Sequence, residues 1–313
     1  MTHLLKRFEP AIKIAFVVLI ILFLVLYLRD IDYSKFSHIH LNWWLLTIAT
    51  LISLAFRYWG VFIWRYILKD LGAHDLPPFI NLSDVYAKAW MARYIPGTIA
   101  WIAGKIHFAS KYGISKSRLA VSSLLEGGMQ ITASLAVSLL ILGLDPRLNV
   151  ISKDIKLVMV LIGLSFIIML FPPIFNRVVG MMHRIVKRQP AGKELRVNGK
   201  AIVRSFILYS IGTLIMGSSY YFLTASLTHV TPDLYFYFVG AFTLSGALGM
   251  ATPFVPSGLG VRDGAQLVLL SIIFPKEVAL VITVFSRLWS VAVDILFYLT
   301  AKVFMRSHKV YHK

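Results

Sequence analysis

Seven stretches of the chain, 11–28, 41–64, 119–144, 155–171, 205–227, 234–252 and 278–301, run with few charges. Each is close to the ~20 residues that a helix needs to cross ~30 Å of hydrocarbon at ~1.5 Å per residue. Val, Leu, Ile and Phe dominate them without strict alternation, which favours helices over the strands of an outer-membrane barrel. With 58% hydrophobic residues and a mean hydropathy of +0.75, the 313-residue chain has too little polar surface to coat a water-soluble globule. The fold class expected is all-α integral membrane, a polytopic helical bundle. The stretch 11–28 follows Lys6 and Arg7 as in a signal peptide, but no small-residue cleavage pattern precedes Arg29, so it reads as a retained anchor. The sequence has no cysteine and therefore no disulfide.

The net charge of +18 is informative through its distribution. With the amino terminus in the cytoplasm, the segments 1–13, 65–118, 175–204 and 302–313 fall inside and hold 23 of the 32 Lys and Arg residues. That asymmetry places both termini in the cytoplasm and the protein in the cell's inner membrane. The basic charge is thus assigned to topology and attraction to anionic headgroups, and nucleic acid is excluded as a partner.

Two apolar segments do not read as simple spans. Segment 79–112 is basic at both ends and broken in the middle by Pro96-Gly97, so each arm is too short to cross. It is expected to enter from the cytoplasm and return there. Segment 234–275 is broken by Pro253, Pro256, Gly258 and Gly260, and its second arm extends only ~18 Å as a helix. It is expected to enter from the outside. Pro96, Gly97, Pro256, Gly258 and Gly260 would shape the two tips.

Aligning Pro96 with Pro256, an offset of 160, lays Tyr94-Ile95-Pro96 over Phe254-Val255-Pro256 and the following span over the last one. Each half then reads as helix, helix, re-entrant hairpin, helix, and three crossings per half invert the second copy. The expected division is a first membrane repeat at 1–150, a linking span and basic cytoplasmic loop at 151–204 that begins the second repeat, and the rest of that repeat at 205–313. Residues 177–204 are read as an interfacial helix and loop.

Arg57, Glu126, Arg262, Asp263, Arg287 and Asp294 lie within or beside apolar regions, where a charge at the helix centre costs roughly 2.5–3.5 kcal/mol. They need partners or water. One reading is structural, with Glu126 paired to Arg287 across repeat-equivalent helices. The other is functional: Arg57, Arg93, Arg262 and Arg287 hold a phosphate, which the planar guanidinium fork suits, while Glu126 and Asp263 offset or gate that charge. Helix amino termini at the tips would add N–H groups that favour an anion. Trp43, Trp44, Trp59 and Trp64 read as interface belts and packing. His38 and His40 lack the further ligands of a zinc site, and Gly258-Leu-Gly260 lacks the strand–turn–helix setting of a nucleotide loop, so no metal and no cofactor are expected. No nucleophile elbow or paired acid/base carboxylates point to catalysis.

Arg93-Tyr-Ile-Pro96-Gly97, Glu126 in the next span, and Pro256-Ser-Gly258-Leu-Gly260-Val-Arg262-Asp263-Gly264 resemble the membrane domain of the lysylphosphatidylglycerol synthase family. Asp263 stands where that family usually has glutamate. The sequence runs to Lys313 without a synthase domain, so the resemblance implies movement of lipid between leaflets and not aminoacyl transfer. The function expected is a flippase-like transporter for a phospholipid or lipid-linked anionic headgroup, with membrane lipids as partners and Arg57, Arg93, Glu126, Arg262, Asp263 and Arg287 at the binding site. Alternatives are a membrane enzyme or accessory subunit that presents lipid to a separate transferase, and a carrier of small anions.

Overall fold

The computed structural model describes residues 41–73, 75–94, 99–150, 152–175, 177, 197–252 and 258–311. The described residues are helical, with no strand among them. Nine α-helices are labelled in chain order: α1 Trp43–Asp70, α2 Phe79–Met91, α3 Ile99–Ala109, α4 Lys116–Leu144, α5 Lys153–Ile168, α6 Gly199–Leu227, α7 Tyr235–Ala251, α8 Val261–Leu270 and α9 Lys276–Tyr311. The expected span 11–28, the tip residues Pro96, Gly97 and Pro256, and most of the basic loop after Arg177 lie outside the described residues.

Among the described residues, five helices are long and apolar enough to cross a membrane: α1, α4, α6, α7 with its preceding turn (Pro232–Ala251), and α9 up to Arg306. Their starts are set by local chemistry. The Asn42 side chain accepts from Trp44 N and Leu45 N at 3.1 and 3.2 Å to open α1, and Ser115 and Asn198 cap α4 and α6 in the same way. Helix α5, expected to span, is 16 residues long, or ~24 Å, and stops at tight turns before Pro172-Pro173. It is not among the five. Its apolar residues, Leu157, Val158 and Leu161 among them, are largely exposed, as suits a helix facing lipid.

Helices α2 and α3 are short neighbours that pack on each other, as do α7 and α8. In the first pair a Cβ on Gly104 would stand 3.2 Å from Ala89 Cα, so the two backbones nearly touch. In the second pair Gly258, at φ +65°, lies so close that a Cβ there would be 2.4 Å from Gly249 Cα. Only glycine fits both that conformation and that gap.

The two pairs also exchange partners across the chain. Helix α2 packs against α9, α7 packs against α4, and α1 and α6 lie together at the centre of the bundle. Small residues allow these approaches, as is general where hydrocarbon surrounds the helices and hydrophobic exclusion no longer drives them together. A Cβ on Gly217 of α6 would stand 2.7 Å from Val239 Cα of α7.

Candidate functional site

Among the described residues, the most deeply buried charged side chains gather in two clusters. The first is built on Asp294 of α9, which is fully buried. Its Oδ1 accepts from Arg57 Nε at 3.1 Å, Arg57 Nη2 at 3.0 Å and Trp90 Nε1 at 3.0 Å. Its Oδ2 accepts from Arg93 Nη2 and from the Tyr94 hydroxyl, the latter at 2.5 Å. Arg57 Nη1 is held in turn by the Ser53 side-chain and backbone oxygens, one turn earlier on α1. Arg57 is therefore locked, whereas the Arg93 side chain keeps 20% of its surface exposed and its buried Nε has no partner. The Arg93 guanidinium lies 4.5 Å from the Trp90 ring centroid.

Arg262 and Arg287 extend this cluster. Arg262, at the start of α8, donates to the Tyr220 hydroxyl of α6 and stacks over the same ring. Arg287 Nη1 faces Asp263 Oδ1 at 4.0 Å, with both side chains 16% exposed. Arg287 also lies within electrostatic reach of Arg262 and Arg93. Among the described residues, four guanidinium groups thus meet two carboxylates at the end of α2, the start of α8 and the middle of α9, an excess of two positive charges. The chain neighbours Val261 and Leu288 are exposed apolar residues, so the site borders a surface fit for hydrocarbon.

Asp263 has a second task. Its Oδ2 accepts from Gly260 N at 3.1 Å and so caps α8 with the chain's own carboxylate. The N–H groups expected to receive an anion at this tip are in part already served.

The second cluster is centred on Glu126 of α4. It pairs with Lys105 of α3, not with Arg287, and it accepts a 2.5 Å hydrogen bond from the Tyr86 hydroxyl of α2. Both charged side chains are essentially without exposure. Three rings box the Lys105 ammonium, Trp64 at 4.6 Å, Tyr86 at 3.9 Å and Trp101 at 4.9 Å, a cation–π enclosure that replaces lost hydration. The expected Glu126–Arg287 pair does not form: Lys105 of α3 and Tyr86 of α2 engage Glu126, while Arg287 faces Asp263. Trp64 proves to be a wall of this box and Trp43 and Trp44 are exposed, so the tryptophans do not share one role.

A water-sized cavity separates the clusters, bordered by Arg57, Tyr86, Trp90, Gln130 and Tyr209. The Tyr209 hydroxyl is buried and has no hydrogen-bond partner. Among the described residues no group of three or more His, Cys, Asp or Glu could hold a metal ion.

Residues 11–297 match the family described as the lysylphosphatidylglycerol synthase TM region. The chain belongs to that family. No curated protein matches the sequence. Membership of the lysylphosphatidylglycerol synthase membrane-region family and the five apolar helices make the chain an integral membrane protein tied to lipid handling.

Proposed function

We propose that the protein moves a lipid with an anionic headgroup between the two leaflets, the phosphate resting on Arg93, Arg262 and Arg287 while the acyl chains stay in the bilayer. The observation that carries this reading is the excess of guanidinium over carboxylate at a partly exposed place inside the bundle. Such an imbalance is unfavourable in hydrocarbon unless an anion or water completes it. Arg57 and Asp294 form its fixed floor. The unpartnered Arg93 Nε supplies a donor that a phosphate oxygen would satisfy.

In this reading the chain has two repeats, 1–150 and 151–313, inverted with respect to the membrane, with both termini on the cytoplasmic side of the inner membrane. The packing supports it: exchanging α1 with α6, α2–α3 with α7–α8, and α4 with α9 leaves the main set of helix contacts unchanged. The exposed apolar residues beside the arginines favour a lipid over a small soluble anion.

Reconstitution in liposomes with leaflet-labelled fluorescent phosphatidylglycerol tests the proposal. Transfer accelerates with the wild-type protein, and Arg262→Gln/Arg287→Gln slows it by roughly 10-fold or more, since each charge-assisted hydrogen bond lost is worth ~1.5–3 kcal/mol. No acceleration for any of several anionic lipids, with or without an ion gradient, refutes it.

A further inference from the structure

The Lys105–Glu126 pair is as deeply buried as Arg57–Asp294, and the function above makes no use of it. On every side Glu126 meets a specific neighbour: Lys105 from α3, Tyr86 from α2, Tyr209 within electrostatic reach from α6, and Gln130 one turn along its own helix. From α1, Trp64 walls the Lys105 box and Arg57 borders the cavity beyond Tyr86. The charges at the start of α5 pack level with Gly143, about 25 Å along α4. On α7, Tyr237 is engaged with Leu269 O. Glu126 is therefore neutralised by one cation and touches one titratable hydroxyl that leads to the cavity.

Such a pair has two arrangements. A proton added to the Glu126 carboxylate gives the neutral acid and leaves Lys105 a lone cation among three rings, which is unfavourable when buried. Lys105 must then withdraw with its own proton kept. It stands on α3, and α3 packs on α2 and on the short turn Ala92–Tyr94 that carries Arg93. Loss of the Glu126 charge thus loosens the hairpin that presents Arg93 to the headgroup, so one event biases the other. A small and mostly apolar cavity lies between Tyr86 and Arg57, and the unpartnered Tyr209 hydroxyl is the polar group there to which Tyr86 could pass a proton.

We propose that Glu126 is a proton-binding site and that the protein couples the passage of a headgroup to a proton, an inference that rests on the lipid-moving function above. One proton from one aqueous side forms the O–H bond of the Glu126 acid, and the same proton leaves to the other side. No other bond changes.

The test uses full-length protein in phosphatidylethanolamine vesicles with fluorescent phosphatidylglycerol, a trapped pH-sensitive dye, a pH gradient of about one unit and a clamped potential. Coupled one to one, that gradient drives the probe toward a leaflet ratio of up to about tenfold. Glu126→Gln/Lys105→Gln, which removes both charges together so that neither is stranded, is expected to hold the ratio at one. A wild-type ratio of one despite rapid transfer overturns the coupling and leaves lipid movement standing. A double variant as asymmetric as wild type overturns Glu126 as the site. Absence of any wild-type transfer overturns the lipid-moving function and this inference with it. Independently of transport, infrared difference spectra across pH should contain a carboxylic-acid band that the double variant lacks, and a spectrum without that band also overturns the assignment.

Discussion

Replacing Asp294 by asparagine keeps the shape of the side chain and removes the charge that Arg57, Arg93, Trp90 and Tyr94 share. Both carboxylate oxygens are occupied, Oδ1 by three donors and Oδ2 by two, and the side chain has no exposure through which water could take their place. Removing one partner of a buried ion pair costs ~3–5 kcal/mol, because the other charge remains buried without compensation. For a chain of this size that is a fall in the thermal midpoint on the order of 10 °C. Loss of monodisperse protein in mild detergent after stepwise heating measures it. Asp263→Asn is the control, since its partner Arg287 is 4.0 Å away and both side chains are partly exposed, so it should cost no more than ~1 kcal/mol. Arg57→Gln/Asp294→Asn should lose clearly less than the two single changes added together. Equal small shifts for Asp294→Asn and Asp263→Asn, or strict additivity in the double variant, refute the claim that Asp294 organises the cluster.

Two further outcomes follow from the geometry. Gly258→Ala puts a methyl group 2.4 Å from Gly249 Cα at φ +65°, so it should destabilise by at least ~1–2 kcal/mol. Gly128→Ala, mid-helix with open space around it, should raise the midpoint slightly, by up to ~1 kcal/mol of helix propensity. The absence of native cysteine makes sidedness directly readable: cysteines replacing Leu76 and Gly113 should react with an impermeant maleimide from one face, and those replacing His229 and Lys276 from the other. All four reacting from the same face would rule out oppositely entering hairpins.

The spans α1, α4, α6, α7 and α9 were legible because length and hydropathy alone set them, and nothing in the tertiary structure competes with a long apolar run. The arginines were legible for a related reason: Arg57, Arg262 and Arg287 are conspicuous where charge is costly. Their partners were not. Lys105 sits near the basic end of its segment and was counted with the cytoplasmic lysines, yet the short arm α3 folds back and buries it against Glu126. A charge count has no way to register that return. Asp294 was seen as an intramembrane acid, but its five donors come from α1, from α2 and from the turn after α2, about 200 residues away. The repeat offset pointed to matching positions in the two halves of the sequence, whereas what completes the cluster is the packing of α2 on α9. Tyr86 and Tyr220, which finish the two clusters, gave no signal beyond being aromatic in an apolar run.

The dependence of Arg57 and Arg93 on Asp294 sets an order to biosynthesis. Asp294 lies 237 residues after Arg57 and 201 after Arg93, on a helix that leaves the ribosome long after theirs. At ~5–20 residues per second, roughly 10–50 s separate the arginines from the acid that neutralises them. Until then Arg57 and the turn that carries Arg93 lack the carboxylate that holds them in the finished protein. A nascent chain stopped short of Asp294 is therefore a marked chain, with two stranded cations to distinguish it from finished protein, and α9 is the keystone that closes the arch.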